Sequence, residues 1–223
     1  MKRYAVYYAP EPGPFASAAA EWLGWDPVPG TTVVQPDLGF DLADLTDDPR
    51  KYGFHGTIKA PFRLAKGIDR CAVSDALTAL AANLKPVETP GLHLVALDGF
   101  LALVPQGDAA GLLALAAQVV EQLDGLRAPL TEAEIARRRP ERLTPRQRAL
   151  LDKFGYPYVM EEFRFHLTLS RRLTKAENAA LMPLARARFA PLLPQPFRVS
   201  ALCLFGEAID GQFHLLHRYT LAA

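Results

Sequence analysis

A five-residue pattern that occurs twice constrains this chain more than any other feature. The first copy is Phe54-His55-Gly56-Thr57-Ile58 and the second is Phe165-His166-Leu167-Thr168-Leu169. Both lie in apolar, β-prone runs, which predicts strands. Alternate side chains of a strand share a face. His55 and Thr57 therefore point one way and Phe54 and Ile58 the other. His166 and Thr168 are set in the same manner against Phe165, Leu167 and Leu169. Each copy thus has an apolar face that needs burial and a polar face with an imidazole beside a hydroxyl. Two such strands on matched elements would make a symmetric site for an anionic group.

The segments downstream of each copy repeat as well. After the first, Asp69 to Asn83 has apolar residues at helical spacing. Two extended runs come next, His93 to Leu97 and Phe100 to Val104, with the hairpin signal Asp98-Gly99 between them. After the second, Thr174-Lys175-Ala176-Glu177 fits a capping box that opens a helix to about Phe189. Two strands come after it, Phe197 to Phe205 and Gln212 to Leu221. The motif histidines are 111 positions apart in a chain of 223 residues. We therefore expect an α+β fold of two pseudo-symmetric lobes. Each lobe is an antiparallel sheet with helices on its outer face, and the active cleft lies between them. The expected division is one bilobal domain over 1–223, with lobe one at roughly 1–126, a linking helical region at 127–160 and lobe two at 161–223. Strands are free to exchange between the lobes.

The remaining segments fill in this plan. Arg3 to Tyr8 reads as a strand and Phe15 to Leu23 as a helix closed by Gly24. The stretch 25–51 is loop-like, with one helical turn near Leu42 to Leu45. Pro61 predicts that the first motif strand lies at an edge or ends there. The linking region holds two capping boxes, at Thr131 and Thr144, on either side of Arg137-Arg138-Arg139. This short basic run reads as a solvated helix face, the alternative being an anion contact in which at most one or two of the three reach the cleft.

Composition narrows the function classes. The formal net charge is +1, so affinity for phosphate has to come from local arrangement and not from a global basic field. Cys71 and Cys203 stand far apart and fit neither a metal spacing nor a disulfide framework. With an N-terminus that enters a strand directly and no apolar run long enough for a bilayer, we expect a cytoplasmic protein without membrane contact.

The longer strings around these motifs carry a resemblance. They are Tyr-Gly-Phe-His-Gly-Thr-Ile-Lys-Ala-Pro-Phe (52–62), Leu-Arg-Ala-Pro-Leu (126–130), Ile-Ala-Arg-Arg-Arg-Pro (135–140), Gly-Tyr-Pro-Tyr-Val (155–159) and Phe-Arg-Phe-His-Leu-Thr-Leu (163–169). The chain resembles the two-histidine (2H) phosphoesterase superfamily, and within it the branch encoded near phosphonate-utilisation genes. That resemblance implies a catalytic histidine and a phosphate-binding hydroxyl in each motif: His55 with Thr57, and His166 with Thr168. Gly56 departs from the superfamily, which often has a larger apolar residue there, and is expected to loosen or reshape the first strand.

The chemistry is consistent with those roles. Opening a cyclic phosphodiester needs a base to activate water and an acid for the departing oxygen, and histidine serves as either near its ordinary pKa of about 6.5. Alternation adds Lys59 to the face of His55 and Thr57, and Arg164 and Ser170 to the face of His166 and Thr168, as further substrate-binding candidates. We expect no cofactor and no metal, since each triplet offers too few ligands. His214 and His217, three apart in a predicted strand, face opposite sides. The expected partner is a small phosphorylated or nucleotide substrate, with a short RNA end as a further option. The expected function is a metal-independent phosphodiesterase acting on a 2′,3′-cyclic nucleotide or a ribose cyclic phosphate in phosphonate metabolism. Its rival is a non-catalytic accessory protein that binds a nucleotide or phosphometabolite.

Overall fold

The computed structural model describes residues 1–222. The chain opens with strand β1 (Tyr4–Tyr8) and helix α1 (Pro14–Leu23), whose end is capped by Gly24 at φ 79°. Short pieces come next: β2 (Trp25–Asp26), β3 (Thr31–Thr32), α2 (Leu42–Leu45) and α3 (Asp47–Arg50). The first motif leads into β4 (Gly56–Phe62), then α4 (Arg70–Ala81), β5 (Val87–Thr89), β6 (Leu92–Leu97), β7 (Phe100–Pro105) and α5 (Ala110–Gln122). The linking region forms α6 (Glu132–Arg137) and α7 (Pro145–Phe154), both opened by the expected capping boxes. The second motif gives β8 (Leu167–Thr168), followed by α8 (Lys175–Phe189), β9 (Phe197–Val199), β10 (Ala201–Glu207) and β11 (Phe213–Thr220).

Seven strands make one antiparallel sheet in the order β11-β10-β1-β4-β8-β7-β6. The two motif strands are neighbours at its centre, joined by the single pair Gly56↔Leu167. Around that seam the elements repeat as strand, helix, motif strand, helix, short strand, strand: β1-α1-β4-α4-β5-β6, then β7-α5-β8-α8-β9-β10. The short strands β5 and β9 pair with each other, and β11 is added outside the repeat. The duplicated unit therefore starts one strand earlier than the motif. The β6–β7 hairpin, turned by Asp98 at φ 47° and Gly99 at φ 92°, crosses from one unit to the next.

One face of the sheet is covered by helices. Val6, Ile58, Leu101, Leu103, Leu167 and Leu204 are almost fully buried there against Trp22 and Leu23 of α1, Val73 and Leu77 of α4, Leu112 and Val119 of α5, and Leu181 and Phe189 of α8. Each such side chain contributes about 1.5–3 kcal/mol of transfer free energy. Phe54, Phe165 and Leu169 join this core, which commits the apolar side of both motifs and leaves their polar side on the opposite face. No helix among the described residues is long and apolar enough to cross a membrane.

Candidate active site

The strict alternation of burial over Phe165–Leu169 leaves His166 and Thr168 half-buried between three buried apolar residues, and His55 and Thr57 stand in the same relation to Phe54, Gly56 and Ile58. In an antiparallel pair, the register Gly56↔Leu167 sets His55 across from Thr168 and Thr57 across from His166. Each histidine thus faces the threonine of the other motif, and the four residues occupy the corners of a rectangle over the seam. Directly opposed Cβ atoms in such pairs are about 4.5–5.5 Å apart, so one phosphate group spans the rectangle.

The two imidazoles are held alike. His55 Nδ1 lies 2.9 Å from the Gly53 carbonyl oxygen and His166 Nδ1 lies 2.7 Å from that of Arg164. A carbonyl only accepts, so both Nδ1 atoms carry the proton and both Nε2 atoms are left for chemistry. Thr57 Oγ1 is 3.3 Å from His55 Nε2. Trp22 in the core donates from its indole to the Leu169 carbonyl at 2.8 Å and fixes the second motif from behind.

Two adjoining cavities of about 420 and 460 Å³ open over this seam and share Thr57, Ala60, Phe100, Tyr156 and Arg172 as walls. The first contains His55 and Thr168, the second His166. Burial lowers the pKa of His55 to about 4, opposed by its bond to Gly53 and reinforced by the charge of His166. Burial also lowers that of His166, opposed by the Arg164 carbonyl and the nearby Asp98 carboxylate.

The structure does not bring every candidate to this cleft. Lys59 is nearly buried on the helix-covered face, where its ammonium donates to the Val120 carbonyl and pairs with Asp124 at 3.6 Å. Strand β4 carries a bulge: Tyr7 pairs with Thr57, but the next residue on β1, Val6, pairs with Lys59. The extra residue shifts the alternation by one position, so Lys59 shares the core face with Val6 and Ala60 takes the cleft position. Ser170 is in the cleft wall, but its hydroxyl accepts from Leu101 N and donates to the Arg171 carbonyl. Arg164 is exposed at the mouth of the second cavity.

Gly56 does not loosen its strand. A Cβ there would sit 2.4 Å from the Phe165 ring, so the missing side chain lets that ring pack on the seam. Pro61 lies in a central strand, but next to the strand's end and beyond its single pair with β8. It falls inside a second register shift against β1, between the pairs Val6↔Lys59 and Tyr4↔Phe62, and a bulge is a place where a sheet accommodates proline. His214 packs against Trp25 and His217 against Tyr219, and neither lines the cleft cavities.

Several cleft residues have no motif to announce them. Tyr7 lies over His55 with ring centroids 4.0 Å apart, and Phe100 packs against His166 at 5.6 Å. The linking region supplies Arg138 and Tyr156. That region is tied to the end of β4 by the Arg63 fork on Glu134, the capping-box residue of α6, and by the bond from Ala128 N to the Arg63 carbonyl. The ion pair with Arg63 holds the Glu134 carboxyl down at about 2.

Residues 57–214 match the model of a family described as "Protein of unknown function (DUF1045)". The chain belongs to this family. The matched span includes Thr57, His166 and Thr168 and starts two positions after His55. Two curated relatives carry the name ribose 1,5-bisphosphate phosphokinase PhnN. The one from Janthinobacterium sp. (strain Marseille) is 37% identical over 95% of this chain and 49% of its own length. The one from Laribacter hongkongensis is 36% identical over 94% of this chain and 49% of its own. The chain spans about half the length of these relatives. Among solved structures, TT0787 of Thermus thermophilus aligns with 98% of this chain and 97% of its own, at 16% identity and a TM-score of 0.47. E. coli LigT complexed with 3′-AMP aligns with 99% of this chain and 98% of its own, at 14% identity and a TM-score of 0.45.

Proposed function

We propose that this family member opens a cyclic phosphodiester by metal-independent acid–base catalysis, with His55 as base and His166 as acid. The observation that supports this most is the register over the seam. In-line displacement needs the attacking and departing oxygens on opposite sides of phosphorus, and the register puts the two histidines at one diagonal of the rectangle and the two threonines at the other. Neutral His55 Nε2 takes a proton from water as the water oxygen bonds to phosphorus. Protonated His166 Nε2 gives its proton to the oxygen whose bond to phosphorus breaks, and a phosphate monoester results. Thr57 and Thr168 donate to the two non-bridging oxygens, where charge grows.

The direction of the assignment follows from the surroundings. His55 is the harder of the two to protonate, because burial and the charge of His166 act together on it, while Asp98 favours the imidazolium of His166. The relatives' name refers to a ribose bisphosphate, and the sequence resembles a branch encoded beside phosphonate-utilisation genes. These two points make a ribose cyclic phosphate in phosphonate metabolism the first sugar substrate to try, beside a 2′,3′-cyclic nucleotide.

Purified protein should convert one of these compounds to a monoester in the presence of chelator. His55→Ala and His166→Ala should each lower kcat/KM by about 10²–10⁴-fold. Full activity in either variant would sink the assignment.

A further inference from the structure

We propose that the substrate carries a second phosphoryl group, which does not react and is held in the first cavity by Arg138 and Arg172. This rests on the hydrolytic reading and specifies its substrate class. The first cavity is lined by five cations, Arg3, Lys51, Arg138, Arg171 and Arg172, and by one carboxylate, Asp48. Three of the cations are already matched. Arg3 makes a two-pronged pair with Glu207 at 2.6 and 2.9 Å, Arg171 binds Asp44 and Glu177, and Lys51 faces Asp48 at 3.7 Å.

Arg138 and Arg172 are in no ion pair among the described residues. Arg138 is half-buried and Arg172 exposed, and each has one neighbour that orients it. The Arg138 guanidinium lies 4.7 Å from the centroid of the Tyr156 ring. The stem of Arg172 packs on the turn at Gly99, where a Cβ would come within 3.2 Å of its Cγ. A ring and a glycine corner position these two side chains without neutralising them. Two unneutralised guanidinium forks from separate segments, facing one cavity, match a phosphoryl group, and their prior placement reduces the ordering cost of binding.

The reacting phosphate does not need them, since the histidines and threonines serve it at the seam. The second cavity adds Tyr158 and Phe163 to the shared Phe100 and Tyr156, and its own charged walls are Asp98, Glu162 and Arg164, two of them acidic, so it is the poorer place for a second phosphoryl group. Arg172 stands on the wall between the two cavities and Arg138 lines the first alone, which places the phosphoryl group toward the His55 side.

The test compares adenosine 2′,3′-cyclic phosphate with the same compound bearing a 5′-phosphate, reading the ratio of their kcat/KM values. Calorimetric binding of adenosine 3′-phosphate and adenosine 3′,5′-bisphosphate runs alongside. The doubly phosphorylated substrate should be preferred by about 10–100-fold, and Arg138→Gln and Arg172→Gln should each cut that ratio by about tenfold. Glutamine keeps most of each stem, and the ratio is insensitive to a general loss of active protein. A ratio near one in the wild type, or one untouched by both substitutions, overturns the subsite while turnover upholds the hydrolase. Tighter, arginine-dependent binding of the bisphosphate, with no turnover of either adenosine compound or of a ribose cyclic phosphate, upholds the subsite and sinks the hydrolase. Neither turnover nor a binding difference overturns both.

Discussion

His55 and His166 occupy equivalent motif positions and donate to equivalent carbonyls, yet their proton affinities are set apart by their neighbours. Tyr7 covers His55 at 4.0 Å, while His166 faces Asp98. His55 is neutral in the folded chain down to about pH 4, whereas in the unfolded chain it titrates near 6.5. Between those values the unfolded state binds more protons at this residue. Its contribution to stability is fully present above pH 6.5 and is lost as pH falls through about 4. Urea unfolding at pH 7 and pH 5 should show a fall on the order of 1–2 kcal/mol that His55→Gln reduces; an unchanged slope in that variant would contradict it. Activity should follow the folded-state titrations of both histidines. Loss of neutral His55 limits kcat/KM on the acid side and loss of protonated His166 on the basic side. The optimum for free enzyme should therefore lie below neutrality, in a bell-shaped profile, and a flat profile across pH 4–8 would refute the pairing. Gly56 makes a further residue-level prediction. Gly56→Ala puts a methyl 2.4 Å from a Phe165 ring already packed against Tyr8 and Phe197, and should cost about 1–3 kcal/mol in chemical denaturation.

At the scale of elements, strand alternation placed His55, Thr57, His166 and Thr168 on one face, because their burial depends only on a local period of two. It failed at Lys59 because the bulge in β4 is a property of its pairing with β1, more than fifty positions earlier, and nothing local to residues 57–59 encodes it. Pro61 was the nearest local sign of irregular pairing. The capping boxes at Thr131, Thr144 and Thr174 were legible because each is closed by side chains three residues apart. Tyr7, Phe100 and Tyr156 were not, since each reaches the cleft through tertiary packing. Arg138 was visible only as one of three consecutive arginines that diverge around a helical turn, and the sequence does not say which of them faces the cleft. The bulge can be tested directly. Lys59→Met removes a buried charge in favour of an apolar chain of similar length while Asp124 keeps its pair with Arg127, and should leave kcat/KM of the folded protein within about threefold. A large loss of activity with the fold intact would return Lys59 to the substrate.

The whole molecule is held together by strands that cross between its repeated units. β10 from the second unit pairs with β1 of the first, β6 pairs with β7, and β5 closes on β9. The predicted pattern of motif strand, helix and two strands located the duplication but divided it one strand late, because a hairpin signal cannot say to which unit each of its strands belongs. Interleaving on this scale predicts a single cooperative unfolding transition, with near- and far-UV circular dichroism coinciding in urea; two separated transitions would mean independent halves. The seam between Gly56 and Leu167 is the pseudo-twofold axis of this arrangement. A tetrahedral phosphodiester has its own local twofold, which passes through phosphorus and exchanges its ester oxygens. A perfectly symmetric pocket would accept such a group in either of two orientations and cleave either bond. Unequal halves abolish that ambiguity, so the divergence of the two copies is what gives the proposed reaction a polarity.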